Sequence, residues 1–403
     1  MAKGLDVQHF FRRAPREWLE RYFDSKSLMR DVQWAMLSKR KFDPLMRAWT
    51  ALDADTRSKL ADDFRNIQLL ATPSGKLQII DEAPYHHMHG DVAAKMLELG
   101  DYYACAFWVL LERPVLWDGA LRYAIADGKS KTYWRKRINL PKLGRQPTEA
   151  DAPALAAKLS EYFTKRQGRG GSCVVHPYRR GVDGNREYYF AYPEDHKHTP
   201  LVFDAGELVA RPHNPAFEVI FIHDDSQQTL SIWHDGTKEQ VRDLQVIFAD
   251  AVLGTRISRD SPRDDRAYDL APFLNPDFMF KPDDVLGIEQ VELRKIRVRT
   301  SGKDARTLTI ELGKTTAASA LHRDLSAVLD GVPASQRQAT QVGLQVTFEP
   351  LPNQTARRTR SFQITAPNSS NLKVDDFSPL IERMLVDHGI EPRAPKRPNN
   401  ESD

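Results

Sequence analysis

Three times between residues 216 and 389 the chain repeats one order of events. A run of alternating apolar residues crosses a polar turn, alternates again, and gives way to an apolar stripe of helical spacing closed by a glycine. "AFEVIFIH" and "TLSIW" precede Val241, Leu244, Ile247, Phe248 and Val252, with Gly254 as the stop. "VELRKIRVR" and "TLTIEL" precede Leu321, Leu325, Val328 and Leu329, then Gly331. "VGLQVTFEP" and "RSFQIT" precede Leu380, Ile381, Met384 and Leu385, then Gly389. A period of two marks strands with one buried face, and a period near 3.6 marks helices. Two strands joined by a tight turn must pair antiparallel, and the following helix packs onto their apolar face. The expected class is α+β: an N-terminal mainly helical region, then an antiparallel-sheet region built from repeated strand–strand–helix units. Residue identity between the units is poor, so the repeat is one of layout.

Upstream of Gly168, Gly170 and Gly171 the spacing is helical. Leu60, Phe64, Ile67 and Ala71 lie on one face of a helix capped by Asp53 or Asp55, and further helices are expected over 6–23, 31–50, 91–99, 102–111 and 115–126. Thr148 or Asp151 caps a helix carrying Leu155, Leu159, Tyr162 and Phe163. Pro153 favours Asp151, because a missing amide is tolerated in the first turn. After the glycines, "CVVHPY" and "EYYFAY" flank the turn-rich "RRGVDGNR" as a hairpin. Thr237 and Gln240 have the spacing of a capping box. These shifts divide the chain into a helical domain over 1–166, a central α+β domain over 167–258, and a C-terminal α+β domain of two units over 259–390. "SRDSPRDDRAYD" marks the last boundary, and 391–403 reads as a disordered tail.

The strand phases separate buried from open faces. Leu308, Ile310 and Leu312 share a phase, as do Val342, Leu344, Val346 and Phe348, while Thr307, Thr309, Glu311, Gln345, Thr347 and Glu349 occupy the opposite one. In "VELRKIRVR" the apolar phase slips between Leu293 and Ile296, which predicts a bulge at Arg294–Lys295. Arg294, Arg297 and Arg299 are then candidates for the open polar face. Phe217, Val219 and Phe221 alternate with Ile220 and Ile222, so this central strand should be covered on both sides, most simply by the helical region.

Hydrophobic residues make up 41% of the chain and charged residues 28%, the balance of a soluble globular protein. The longest apolar run, Tyr102–Leu111, is ten residues, whereas a membrane helix needs about 18–20. The charged opening "MAKGLDVQHFFRRAPREW" is no secretory signal, so a cytoplasmic protein without membrane contact is expected. Cys105, inside the apolar run, reads as a buried thiol. With only Cys173 besides it, neither a disulfide framework nor a cysteine zinc site is supported.

A net charge of +3 implies no partner by itself, but its distribution is uneven, with cations gathered in 129–145, 165–186 and 292–306. "GKSKTYWRKRINLPKLGR" places seven cations, Lys129, Lys131, Arg135, Lys136, Arg137, Lys142 and Arg145, around Tyr133 and Trp134, with no acid. That mixture suits phosphate contact and base stacking. It equally suits a short helix or extended connector anchored by Tyr133, Trp134, Ile138 and Leu140. "DEAPYHHMHGD" brings His86, His87 and His89 near Asp91, donors for a divalent transition metal, although H-H-x-H is not a zincin spacing. Cys173 and His176, three apart in a strand, face opposite ways and make no local catalytic pair. The sequence contains no G-x-S-x-G, H-E-x-x-H or nucleotide-binding fingerprint.

The expectation is a binding or accessory protein of a multi-component bacterial system, without a cofactor, contacting nucleic acid or a protein partner through basic surfaces. The alternatives are a metal-dependent hydrolase or nuclease using the histidine cluster, and a structural subunit joined to another protein.

Overall fold

A computed structural model describes residues 5–37, 42–88, 90–129, 133–141, 148, 150–180, 186–204, 206–260, 262, 266–281, 284–302, 305–313, 315–350, 357–373 and 375–393. The chain is α+β, with helices dominating its first part and antiparallel sheets following. Its contacts form two compact units: Met1–Ala124 with Asp265–Asp403, and the intervening Ile125–Asp264. No helix among the described residues is long and apolar enough to cross a membrane.

The N-terminal part of the first unit contains α1 (Val7–Arg13), α2 (Arg16–Ser25), α3 (Asp43–Ala51), α4 (Ala54–Leu70), α5 (Pro73–Glu82), α6 (Asp91–Leu99), α7 (Tyr102–Glu112) and α8 (Trp117–Asp127). Two expected helices are shorter than their spacing suggested: the 6–23 segment breaks into α1 and α2 at Pro15, and the described residues of 31–50 hold a 3-10 turn, Trp34–Met36, and α3 with Pro44 at its start. Proline has no N–H to donate and clashes with the preceding turn, so a helix begins at it more readily than it passes through. Asp53, not Asp55, caps α4, its Oδ1 accepting the Thr56 N–H at 2.8 Å. Leu60, Phe64 and Ile67 are buried as their spacing requires. Phe64 is the hub of the core: its ring stacks on Phe10 at 4.2 Å and meets Phe11, Tyr22, Phe23 and Trp49 within 6.1 Å. Cys105 is buried against α6, and burial pushes its thiol pKa up to about 12.

The second unit is a five-stranded antiparallel sheet in the order β1–β7–β6–β3–β2. The strands are β1 (Trp134–Arg137), β2 (Cys173–Arg180), β3 (Arg186–Pro193), β6 (Val219–Asp224) and β7 (Thr229–Trp233). A separate pair, β4 (Leu201–Asp204) and β5 (Glu207–Ala210), lies in the β3–β6 connection. Helices α9 (Asp151–Gln167) and α10 (Lys238–Ala251) cover one sheet face, packing Leu155, Leu159, Phe163, Leu244 and Phe248 against Tyr189, Phe221, Leu230 and Ile232. The central strand β6 buries Val219, Ile220 and Phe221 completely, so both its faces are covered, one of them by α9 and α10. Asp151 is not the cap of α9 but its first helical residue, and its carboxylate accepts the Thr148 N–H at 2.8 Å. The Thr237–Gln240 capping box of α10 is formed in both directions.

The remainder of the first unit is a second antiparallel sheet. It runs β10 (Thr307–Glu311), β9 (Ile288–Thr300), β11 (Arg337–Phe348), β12 (Arg358–Thr365), β13 (Ser369–Ser370). Helices α11 (Ala320–Val328) and α12 (Ser378–Asp387) place Leu321, Leu325, Leu380 and Ile381 on the face carrying Ile296, Val298, Val342, Leu344 and Val346. The expected bulge is present: Gly343 pairs with Lys295 and Leu344 with Leu293, which leaves Arg294 unmatched. Leu77 of α5 joins this core, and Arg383 of α12 lies 3.6 Å from Asp81 of α5. The short strands β8 (Ala267–Tyr268) and β14 (Pro392–Arg393) pair with each other, and the rest of the expected tail, 394–403, lies outside the described residues.

Candidate functional site

The β3–β6 connection is the most exposed apolar structure in the second unit. β3 and β6 are direct neighbours, and their pairing continues past the sheet through the Glu194–Ala216 bridge. After a one-residue slip it resumes at His198–His213 and runs into β4–β5. The result is one long hairpin whose root lies within the sheet and whose outer half stands as two strands alone. Gly206, at φ +90°, turns the tip. Cross-strand partners share a face, so Leu201 and Ala210 stand with Phe203 and Leu208 on one side, while Val202, Val209, Asp204 and Glu207 take the other. Phe203 is 79% exposed, Leu201 66% and Leu208 56%. Two strands alone are marginally stable in water, and here they leave three large apolar side chains open to it.

The root of this arm is fixed firmly. Arg169 donates to Asp195 at 2.7 Å and lies 3.9 Å over the Phe217 ring. Glu194 accepts from the Ser172 N–H at 3.1 Å and from the Asn214 amide. Burial acts to raise the Asp195 pKa, but Arg169 and the His196 N–H outweigh it and hold the carboxyl below its ordinary value. These contacts hold the root of the arm in one geometry. In "LVFDAGELVA" the local signal is a two-residue turn containing glycine between two short apolar runs, but Val202 and Val209 break the period of two.

The described part of the basic segment is extended, not helical. Trp134–Arg137 is recruited as edge strand β1 against β7, and Ile138 and Leu140 are buried beyond it. Lys129 pairs with Glu218 and sits 4.4 Å over the Trp233 ring, beside Tyr133. Arg135 donates to the Trp134 carbonyl, and Lys136 is exposed. Arg137 points inward at 5% exposure, with Nη1 3.5 Å from Gln245 Oε1 and Nη2 3.3 Å from the Asp260 carbonyl oxygen. Burial lowers its pKa, only partly opposed by Asp260. Lys131, Lys142 and Arg145 lie outside the described residues.

β1 is one edge of the sheet and β2 the other, so Arg179 of β2 lies across the sheet from β1. Of the cations in 165–186, Lys165 meets Glu161, Arg179 meets Glu187 at 3.8 Å and Arg186 meets Asp224 at 3.0 Å, while Arg166 is exposed. On the second sheet, Arg294 donates to the carbonyl oxygens of Gly313 and Thr316, Lys295 pairs with Glu311 at 2.8 Å, and Arg297 donates to Thr309. Arg299 stands exposed between Thr307 and Gln338.

The histidine cluster does not converge among the described residues. His86 lies 3.0 Å from the buried Glu82 carboxylate, one helical turn earlier. His87 is exposed in a left-handed turn, Asp91 is exposed at the start of α6, and His89 lies outside the described residues. No described group of three His, Cys, Asp or Glu side chains is placed to hold a metal.

A different row, buried except for the half-buried Arg179 at its end, lies on the helix-covered face of the first sheet. Arg179, Glu187, His223, Leu230 and Arg137 are successive cross-strand neighbours. Glu187 accepts from Tyr189 Oη at 3.2 Å and lies 3.9 Å from Nδ1 of His223, which is wholly buried. Burial and the adjacent Glu187 raise the Tyr189 pKa. A cleft of about 410 Å³ lies among Gln8, Arg12, Phe42, Asp43, Met46, Arg47 and Thr50 of the first unit. Its one hydroxyl, on Thr50, is spent on the Arg47 carbonyl. No protein-family model, curated protein or solved structure matches the chain.

Proposed function

We propose that this chain is a non-enzymatic binding protein whose partner is another protein, docked on the β4–β5 arm. The observation that carries this reading is the exposed face of Leu201, Phe203 and Leu208 on a firmly rooted hairpin. The disposition of the cations argues for protein over polyanion. Lys129, Arg169, Arg179, Arg186 and Lys295 each face a carboxylate, Arg294 is spent on backbone carbonyls, and Arg137 is buried. A phosphate would have to displace these contacts before it gained its own.

The test is a photo-cross-linking residue at position 203 in the source cells, compared with the same residue at Met279, which is also exposed but outside the arm. Discrete protein adducts at 203 and none at 279 are expected. An empty lane at 203, or the same ladder at both positions, overturns the reading. So would retention of the purified protein on single-stranded oligonucleotide with a log–log salt slope of about −3 to −4, the signature of some four phosphate contacts.

A further inference from the structure

β7 ends at Trp233, and His234 behind it turns inward to 1% exposure, while Asp235, Gly236 and Thr237 stay exposed. The imidazole packs against Phe163 of α9 and against Phe217, at centroid distances of 6.0 and 6.3 Å. Neither ring nitrogen has a hydrogen-bond partner among the described residues. Phe217 rests on three supports: His234, the Phe163 ring at 4.8 Å and the Arg169 guanidinium at 3.9 Å. Its N–H donates to the Pro193 carbonyl at 3.0 Å, so Phe217 ties the returning strand of the arm to the end of β3. We infer that His234 is a pH-sensitive latch on the root of the β4–β5 arm: when its imidazole takes up a proton, Phe217 loses its seat and the hairpin loosens at the sheet. The latch acts on the arm's geometry, whatever the arm binds.

Charge supplies the reason. A neutral imidazole tolerates phenyl neighbours, whereas an imidazolium there would keep two N–H donors and a charge out of water. Asp235, next in the chain, lies 3.7 Å from Nδ1, but its side chain is 70% exposed and water screens its attraction. Arg169, against Phe217, repels. On the other elements around the ring, Glu218 beside Phe217 is held by Lys129, and Tyr162 beside Phe163 donates to Asp243. Lys238 and Glu239 at the start of α10 are exposed, and Tyr133 accepts the His234 N–H through its carbonyl at 3.5 Å. Burial, with Arg169 assisting and Asp235 opposing, holds the His234 pKa below its ordinary value. The exposed Gly236 lies so close to the ring that a Cβ there would fall 2.4 Å from Nε2, so the nitrogen is one backbone layer from water. A charged ring gains by leaving past Gly236. Phe217 then stands without one support.

The experiment is amide hydrogen exchange on the full chain at pH 7.5 and 5.5, each rate divided by the intrinsic rate at that pH. The reporters are the bonded N–H groups of Asp195, His198, His213 and Phe217. An open root whose histidine titrates near 6.5 gains up to about tenfold in population between these pH values, so a three- to tenfold loss of protection is expected there. Val219–Asp224 and Thr229–Trp233 should keep theirs. His234→Phe should abolish the loss, as should His234→Gln if a phenyl ring does not fit beneath Gly236. Replacing the exposed His196, His198 and His213 together by Gln should leave it in place.

A change under about twofold in the wild-type chain overturns the inference. So does an equal loss in the His234 variants, or one that disappears with the three exposed histidines. A loss of the same size in Val219–Asp224 means that the whole unit opens, and it overturns the latch as well. Exchange reads the hold on the arm and cross-linking at position 203 reads its partner, so either can fail without the other.

Discussion

Arg137 offers a direct separation of structure from binding. Its guanidinium lies in the second unit's interior with Nε lacking a hydrogen-bond partner among the described residues and with two long contacts, 3.3 and 3.5 Å. Contacts near 3.5 Å lie at the limit of a hydrogen bond, so they return little of what burying the charge costs. Arg137→Met keeps an apolar stem of similar length and removes the charge. Replacing poorly paired buried ions by apolar groups of like volume is commonly neutral to stabilising by a few kcal/mol, and here neutral to about 2 kcal/mol is expected. Asp260 is exposed, so water takes over its carbonyl. Arg137→Ala also removes the charge but deletes the stem and leaves a hole. It should be about 2–3 kcal/mol less stable than the Met variant, the lower part of the range for truncating a buried long side chain. Urea unfolding followed by tryptophan fluorescence, with Trp134 and Trp233 on the same strand pair, reads both. If Met is as damaging as Ala, the guanidinium itself stabilises the unit and the account of a poorly satisfied buried charge is wrong.

Three further outcomes follow from the same structure. Thr237→Ala removes one half of the α10 capping box and should cost about 1 kcal/mol in urea unfolding; a loss under about 0.3 kcal/mol would show the cap is idle. Phe64→Ala empties the hub of five aromatic rings and should cost about 3–5 kcal/mol, toward the upper end because little of that cluster can collapse inward; a loss under about 2 kcal/mol would contradict its central place. His234 is buried between Phe163 and Phe217, and burial, with Asp235 opposing and Arg169 assisting, holds its pKa below the ordinary 6.5. The unfolded chain therefore takes up a proton near pH 6.5 that the folded chain refuses. Stability is fully present above that pH and falls as pH drops below it, by at most about 1.4 kcal/mol per pH unit, until the folded pKa is reached. His234→Phe should remove this part of the slope, and an unchanged pH profile would exclude His234 as its source.

What could be read from the sequence was what neighbours in the chain decide. Leu308, Ile310 and Leu312 alternate because one sheet face is covered, and the phase slip around Arg294 is a local signature of the bulge. Thr237 and Gln240 cap each other within four residues. The recruitment of Trp134–Arg137 onto β7 was hidden, because the partner strand lies about a hundred residues away and no local pattern names it. The same distance concealed the inward turn of Arg137, which in a run of cations looks like any other solvated charge. The arm was missed for a different reason: both its faces carry apolar residues in a short stretch, so it resembles a loop until the bridges at Glu194–Ala216 and His198–His213 extend it from the sheet.

The first unit draws its residues from both ends of the described chain, with Leu77 and Asp81 of α5 packed against α12 some three hundred positions later. A ribosome adds about 5–20 residues each second, so during synthesis the α5 surface waits roughly 15–60 seconds for its cover. Throughout that interval Leu77 lacks the α12 side chains that cover it while residues 125–264 are made. Biogenesis of this protein thus has a built-in vulnerable period, and α5 is where a holding chaperone would find its grip.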